Sequence, residues 1–303
     1  IEGIIDGENS EERTFTAAVG TTGDDGNLKP FGTASEKVAI KKSPLNLTVF
    51  INGKDDSSSV SYAGEMTRVD LAWVNNLSSS IKDAQIELEI KGEAYDQRSV
   101  SVTKGAYRSY DNKAVWNSAS LKDLASIAPG SSGKAQLGFS IKNPLPIYKQ
   151  GDKDFSISAE AKIIGVGTSD EFENKQITDS LQKEIKIGSK LQAVGKTLHY
   201  SGSLKNSGEI PPKVGEETTY TIVWSLANNA NDLADAKITA SLPPYASKEN
   251  LISPEGEDLR FDEKNATLVW NVGEVPAGTG IIMPAKEVSF QVSFSPNLTQ
   301  VGE

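Results

Sequence analysis

The sequence predicts an all-β protein made of tandem Ig-like antiparallel β-sandwich domains, and three observations carry that prediction. The chain of 303 residues repeats itself with a period near half its length. Apolar and polar residues alternate in run after run, the pattern of strands with one buried face. Clusters of Gly, Pro, Asn, Asp and Ser punctuate those runs at short intervals, as they do in sandwiches of many short strands.

The repeat comes first. The stretch Gly64-Glu65-Met66-Thr67-Arg68-Val69-Asp70-Leu71-Ala72-Trp73 returns as Gly215-Glu216-Glu217-Thr218-Thr219-Tyr220-Thr221-Ile222-Val223-Trp224, at an offset of 151 (215 − 64 and 224 − 73). Asp83-Ala84 returns as Asp235-Ala236, and Val115-Trp116-Asn117 as Val269-Trp270-Asn271, with offsets that drift to 152 and 154 (235 − 83 and 269 − 115). Drift of this size is what loops gain or lose between copies. A unit of about 150 residues is too long for a solenoid repeat and is the size of a whole domain.

Along the chain, Arg13-Thr14-Phe15-Thr16-Ala17 resembles Lys153-Asp154-Phe155-Ser156-Ile157, and Lys37-Val38-Ala39-Ile40-Lys41 resembles Lys183-Glu184-Ile185-Lys186-Ile187. Residues 1–43 therefore read as the closing strands of a preceding repeat. Residues 44–189 read as a complete repeat, and 190–303 as a repeat lacking its closing strands. Ala84 to Ile90, Asp154 to Ser158, Thr219 to Trp224 and Val288 to Phe294 all alternate and predict strands. Helical spacing occurs in Ser120-Leu121-Lys122-Asp123-Leu124-Ala125-Ser126-Ile127, where Ser120 is placed to cap and Pro129-Gly130 to stop a short helix. Residues 1–5 share the phase of Leu137 to Ile141 and of Phe290 to Phe294. The last repeat is expected to end at 290–294 with an open strand edge. The apolar residues of 1–5, 15–19 and 38–40 would then suit the edge of another copy, head to tail.

A net charge of −10 argues against nucleic acid and anionic lipid, which require clustered Lys and Arg. No run approaches the about 20 apolar residues of a membrane span, and no signal peptide is visible. The chain opens on Ile1 and reads as a segment of a longer protein. Without cysteine each unit must hold by packing alone.

Catalytic chemistry finds little to work with. A Ser-His-Asp triad would have to use the single histidine, His199, and no nucleophile elbow accompanies it. A His- or Cys-based zinc site lacks ligands, and there is no phosphate-cradling Gly loop. The sequence thus predicts no enzyme, and no catalytic, cofactor-binding or metal residue. Calcium remains open, because Gly23-Asp24-Asp25-Gly26-Asn27 and Asn52-Gly53-Lys54-Asp55-Asp56 place hard oxygen donors in turns, although tight turns use the same residues for their own geometry. Trp73, Trp224, Trp116 and Trp270 recur at matching strand positions and are expected in the core rather than on a sugar. Intramolecular Lys–Asn links would suit a cysteine-free array, given a Lys, an Asn or Asp and a carboxylate buried together. Asn46, Asn76, Asn265 and Asn297 stand in Asn-x-Ser/Thr frames, about as many as chance gives.

In the last repeat the run from Gly215 to Trp224 is followed by Asp235-Ala236-Lys237-Ile238-Thr239-Ala240-Ser241-Leu242-Pro243-Pro244-Tyr245, then by Val269-Trp270-Asn271-Val272-Gly273-Glu274-Val275-Pro276-Ala277-Gly278. These turn and core motifs resemble the conserved-repeat domains of bacterial surface proteins, as in long membrane-anchored proteins of uncultured candidate-phylum bacteria. Residues 205–296 carry the resemblance well, and 60–145 in degraded form, with Ala128-Pro129-Gly130 for the Pro-Ala-Gly turn. It implies an Ig-like sandwich and an extracellular, cell-surface setting, and it transfers no active site. The function expected is a structural repeat segment that acts as spacer, adhesion or assembly array. Its partners would be other copies or neighbouring surface domains. The alternative is an adhesin module that holds a glycan or protein in its loops.

Overall fold

A computed structural model describes residues 12–23, 26–39, 43–170 and 172–300. The fold is all-β, as expected. Strands β1 (Glu12–Thr22) and β2 (Leu28–Ala39) form a two-stranded antiparallel ribbon that, among the described residues, joins no other sheet. Ile1 to Ile5 of the sequence argument lie outside the described residues.

The first sandwich has two sheets. One consists of β3 (Leu45–Ile51), β5 (Met66–Asn75), β11 (Ser132–Ile141) and β7 (Tyr95–Thr103), in that order. The other runs β4 (Ser58–Tyr62), β13 (Gln176–Gly188), β12 (Ser156–Gly167), β6 (Ile81–Lys91), β9 (Lys113–Trp116), β8 (Ala106–Arg108), with β10 (Ser126–Ile127) also on β6. Pairing is antiparallel except between β4 and β13, which run parallel. Alternation explains the core: β3 reads buried at Leu45, Leu47, Val49 and Ile51 and half-buried between them, and β5, β6 and β12 repeat the pattern. The short helix expected around Ser120 is a single 3₁₀ turn, Lys122–Leu124, because the chain is drawn back into the sheet as β10 directly after it.

The second sandwich follows the same plan with fewer strands. Its sheets are β14 (Leu191–Leu198), β15 (Thr218–Asn228), β20 (Lys286–Phe294), β17 (Ala246–Ser253), and β16 (Leu233–Ser241), β19 (Thr267–Val275), β18 (Asp258–Asp262). Register makes the correspondence concrete. Ile86 faces Trp116 on β6 and β9, and Ile238 faces Trp270 on β16 and β19. Asp83 and Asp235 both take a positive φ, 49° and 54°, at matching points of β6 and β16. Gly64 and Gly215, at φ 80° and 77°, open the equivalent turns before β5 and β15, a conformation that glycine enters without a Cβ clash.

Two expectations are corrected. The edge strand is not 290–294: β20 lies between β15 and β17, and its Val288, Phe290 and Val292 are buried. Residues 246–253 supply the missing neighbour, a strand whose sequence hardly alternates. Trp73 and Trp224 are also not equivalent. Asn75 faces Leu45 and Asn228 faces Leu191, so the register places Trp73 with Leu226, and Trp224 with Leu71. The slip is of two residues, one strand period, and so preserves the face. Trp73 is 1% exposed, and a Cβ at Gly133 across the strand would collide with its ring. Trp224 is half-buried, edge-on to Phe290 at 4.9 Å.

Asn75 and Asn228 are both fully buried and do the same work. The Asn75 amide donates to the carbonyls of Ser79 and Ile127, at 2.9 Å each, and that of Asn228 to Asn231 (2.6 Å) and Val275 (2.8 Å). Each fastens the end of a central strand to the start of the turn that returns the chain from the opposite sheet, Ala128-Pro129-Gly130 in the first and Pro276-Ala277-Gly278 in the second. Trp73→Ala should lower the stability of the first sandwich by about 3–5 kcal/mol, and Trp224→Ala should cost the second distinctly less. Asn75→Ala and Asn228→Ala should each cost about 1–3 kcal/mol by orphaning buried carbonyls. Urea unfolding of each variant, followed by tryptophan fluorescence, measures all four.

Candidate functional site

One densely bonded feature outside the cores is the junction between the sandwiches. β13 ends at Gly188 and β14 begins at Leu191, so Ser189 and Lys190 alone connect them. Ser189 Oγ accepts from the Asn231 N–H at 2.6 Å and donates to its carbonyl at 3.1 Å. The Asn231 amide donates to Ile187 O at 2.9 Å, and its Oδ1 accepts from Asp154 N at 2.8 Å. Lys190 N donates to Asn229 Oδ1, while its Nζ pairs with Glu65 at 2.9 Å and lies 5.0 Å over the Tyr62 ring. Lys153 Nζ meets Asp232 at 2.6 Å, and the other oxygen of Asp232 accepts from Ala277 N. Ala230, from the loop after β15, is buried in the apolar cluster of the first sandwich.

The electrostatics follow from these contacts. The Lys190 ammonium bonded to Glu65 holds that carboxyl below its ordinary value of 4.5. Lys153, helped by the Ala277 amide, holds Asp232 below 3.8, and the Lys153 ammonium is raised in return. Asn228 belongs to this junction too, since its amide fixes the Asn231 carbonyl.

A second candidate is a polar groove of about 590 Å³ at one end of the first sandwich, lined by Tyr95, Asp96, Gln97, Asn112, Lys142 and Tyr148 among others. Tyr148 is 83% exposed and nearby Tyr110 81%, the latter under the Arg108 guanidinium at 5.8 Å. Gln97 donates to Asn112 Oδ1 at 2.6 Å, and the Tyr107 hydroxyl donates to the same oxygen at 3.3 Å. Burial and the Tyr107 hydroxyl push the Tyr95 phenol well above its ordinary range, so it stays a neutral donor. In the second sandwich Ser247-Lys248-Glu249 stands in register where the first has Asp96-Gln97-Arg98. The groove is thus not a property of the repeat.

The sequence candidates fall elsewhere. His199 Nδ1 bonds the Thr219 carbonyl at 3.0 Å, which requires the proton on that nitrogen, and its ring packs on Tyr200 and Tyr220. Trp116 and Trp270 are buried, their indole N–H groups donating to Thr103 O and to Glu257. Of the turns weighed for calcium, Asp24 and Asp25 lie outside the described residues. In the other, Asn52 Oδ1 accepts from Arg68 N and Asp55 Oδ1 from Lys183 Nζ. Among the described residues no three His, Cys, Asp or Glu side chains gather where they could hold a metal ion. Lys183 is the buried lysine a side-chain link would need, and its partner Asp55 is half exposed. Asn76 and Asn265 are exposed, with their amides bonded to Ser43 O and Asp262.

Sequence reasoning missed the junction and the buried asparagines. A signal for them existed: the doublet Asn75-Asn76 returns as Asn228-Asn229 at the end of each central strand.

No family model and no curated protein matches the chain. Solved structures with a similar outline include the C-terminal domain of the Streptococcus pyogenes antigen I/II-family protein AspA. It is 12% identical, with 83% of this chain and 90% of that one covered and a TM-score of 0.35. The major pilin subunit BcpA of Bacillus cereus is 10% identical over 90% of this chain and 73% of its own, also at 0.35. A type I cohesin–dockerin complex from Clostridium thermocellum matches at 18% identity over 48% and 96%, with a TM-score of 0.29. Overlaps this loose place no residue of those proteins on a residue of this one.

His199→Ala should cost about 0.5–1.5 kcal/mol, the range for one lost hydrogen bond. The same variant should show no change in hydrolysis of glycosides, esters or peptides relative to the parent chain. Thermal unfolding and a substrate panel check both halves.

Proposed function

We propose that this chain is a structural segment of an extracellular bacterial surface protein, in which residues 44–189 and 190–303 are two sandwich repeats held as one stiff unit and 1–43 are the closing strands of another. Spacing, adhesion and assembly all depend on such a unit keeping its partners at a set distance. The observation that carries this reading is the junction. A flexible tether needs unbonded backbone, whereas here the connecting residues and the loop after β15 are hydrogen-bonded to one another and Ala230 is buried across the joint. The acidic surface adds solubility and mutual repulsion between molecules.

Nitrogen-15 relaxation tests stiffness directly. The two sandwiches should tumble with one correlation time, and Asn231→Ala should separate them into two. Independent tumbling of the unaltered chain would remove the reading.

The joint should also respond to acid. Glu65 and Asp232 have depressed folded values, so their contribution is complete above about 4.5 and 3.8 and is lost as pH falls through the lower folded values. The correlation times should diverge below about pH 4 and stay joined at neutral pH, as a relaxation series from pH 7 to pH 3 would show.

The groove supports a second reading, a polar ligand such as a glycan. Exposed tyrosines stack on sugar faces while amides and carboxylates bond hydroxyls. A glycan array probed with the chain should then give signals that Tyr148→Ala abolishes.

A further inference from the structure

The long connection 142–155 between β11 and β12 serves two places at once. Lys142, Pro146 and Tyr148 line the polar groove. Ile147, between the last two, is buried in the apolar cluster that Ala230 of the second sandwich enters. Gly278 of the second sandwich closes over it so tightly that a Cβ there would stand 3.1 Å from Ile147 Cγ2. Further along, Asp154 takes a positive φ of 56° and donates its N–H to Asn231, and Lys153 pairs with Asp232. Neighbouring residues of one segment thus face the groove and the second sandwich.

The first sandwich itself holds the start of this segment. Lys142 N donates to Ala94 O at 2.7 Å, and Leu145 is buried. From Tyr148 to Asp154 the hydrogen bonds are of two kinds, within the segment and across the joint. Within it, the Asp152 carboxylate accepts from Tyr148 N at 2.9 Å and from Lys149 N at 3.1 Å, and Asp152 N donates back to Lys149 O. Across the joint stand the bonds of Asp154 and Lys153. The turn that presents Tyr148 is therefore closed on itself and seated from the far side.

We infer that the groove keeps its binding shape only while the two sandwiches are joined, with Asp152 and Asn231 as positioning residues for Tyr148. When the joint opens, Ile147 loses the cover of Gly278 and Asp154 loses its acceptor. The turn carrying Tyr148 is then free to swing away from the groove. Linkage is reciprocal: a glycan that needs Tyr148 in place favours the joined state by the factor by which joining favours its binding. This deepens the glycan reading and rests on it for the occupant, while the coupling itself is measured with no ligand present.

Hydrogen exchange and nitrogen-15 relaxation on the full chain test the coupling from both sides. Asn231→Ala, in the second sandwich, should speed exchange of the Tyr148 and Lys149 amides at least about fivefold, the low end of coupling between sites. The amides of β5 and β6 should stay as they are and report an intact fold. Asp152→Ala, in the first sandwich, should give the two sandwiches separate correlation times, although it touches no residue of the second. Asp152→Asn keeps an acceptor and should match the parent in both measurements. Lys153→Ala, an exposed change at the joint, replaces Asn231→Ala should that variant not fold, with the same expected direction. Sandwiches that separate while the Tyr148 and Lys149 amides exchange as in the parent would overturn the inference, as would a single correlation time in Asp152→Ala. Independent tumbling of the parent overturns it together with the stiff joint. A glycan array with no Tyr148-dependent signal removes the glycan alone, so the failures are told apart.

Discussion

A β-sandwich holds only when both of its inner faces are covered, and in this chain that condition is met unequally. The first sandwich meets it with the β12–β13 hairpin, which shields the interior from the side and gives β6 and β4 their missing partners. In the second sandwich β16 pairs only with β19 among the described residues, and Ile222, Trp224 and Ile238 are half-buried. The counterpart of β4, around Ile210-Pro211-Pro212, forms no strand, since its prolines offer no N–H to pair.

What the sandwiches share is fastened by few groups. Asn75 and Asn228 each close a strand end onto a turn with an amide that water cannot reach. Such a side chain is stabilising only while every bond is made, so it specifies one geometry rather than adding bulk stability. At Asn228 the same amide also orients Asn231. One side chain thus serves both the internal order of the second sandwich and the fit between the sandwiches.

Most of the fold was legible because strand periodicity and turn chemistry are local. Alternation gave β6, the start of β12, β15 and β20, the repeat carried β15 back to β5, and the recurring Asp83 and Asp235 prove to be left-handed residues that both copies keep. Three features escaped for physical reasons. β17 is a strand only because β20 offers it an edge, and its own Ser-Lys-Glu-Asn sequence has no apolar period. The Trp73 and Trp224 pairing failed because a shift of two residues leaves the inside-outside pattern unchanged. The junction is made of polar contacts between residues such as Lys153 and Asp232, far apart in sequence, and no period reports those. The groove, a fourth, is lined by residues such as Tyr95, Lys142 and Tyr148 that only the folded chain brings together.

The connection between β13 and β14 has a consequence for proteolysis. A protease must draw a stretch of backbone into its cleft in extended, unpaired form, and it does so where loops are long and weakly held. Ser189 and Lys190 offer no such stretch, since both are pinned from the far side of the joint. Cleavage between the sandwiches would first require the joint to open. Two folded bodies linked in this way would be lost or kept together, and a cut elsewhere, in a longer surface turn, would nick the chain without dividing it.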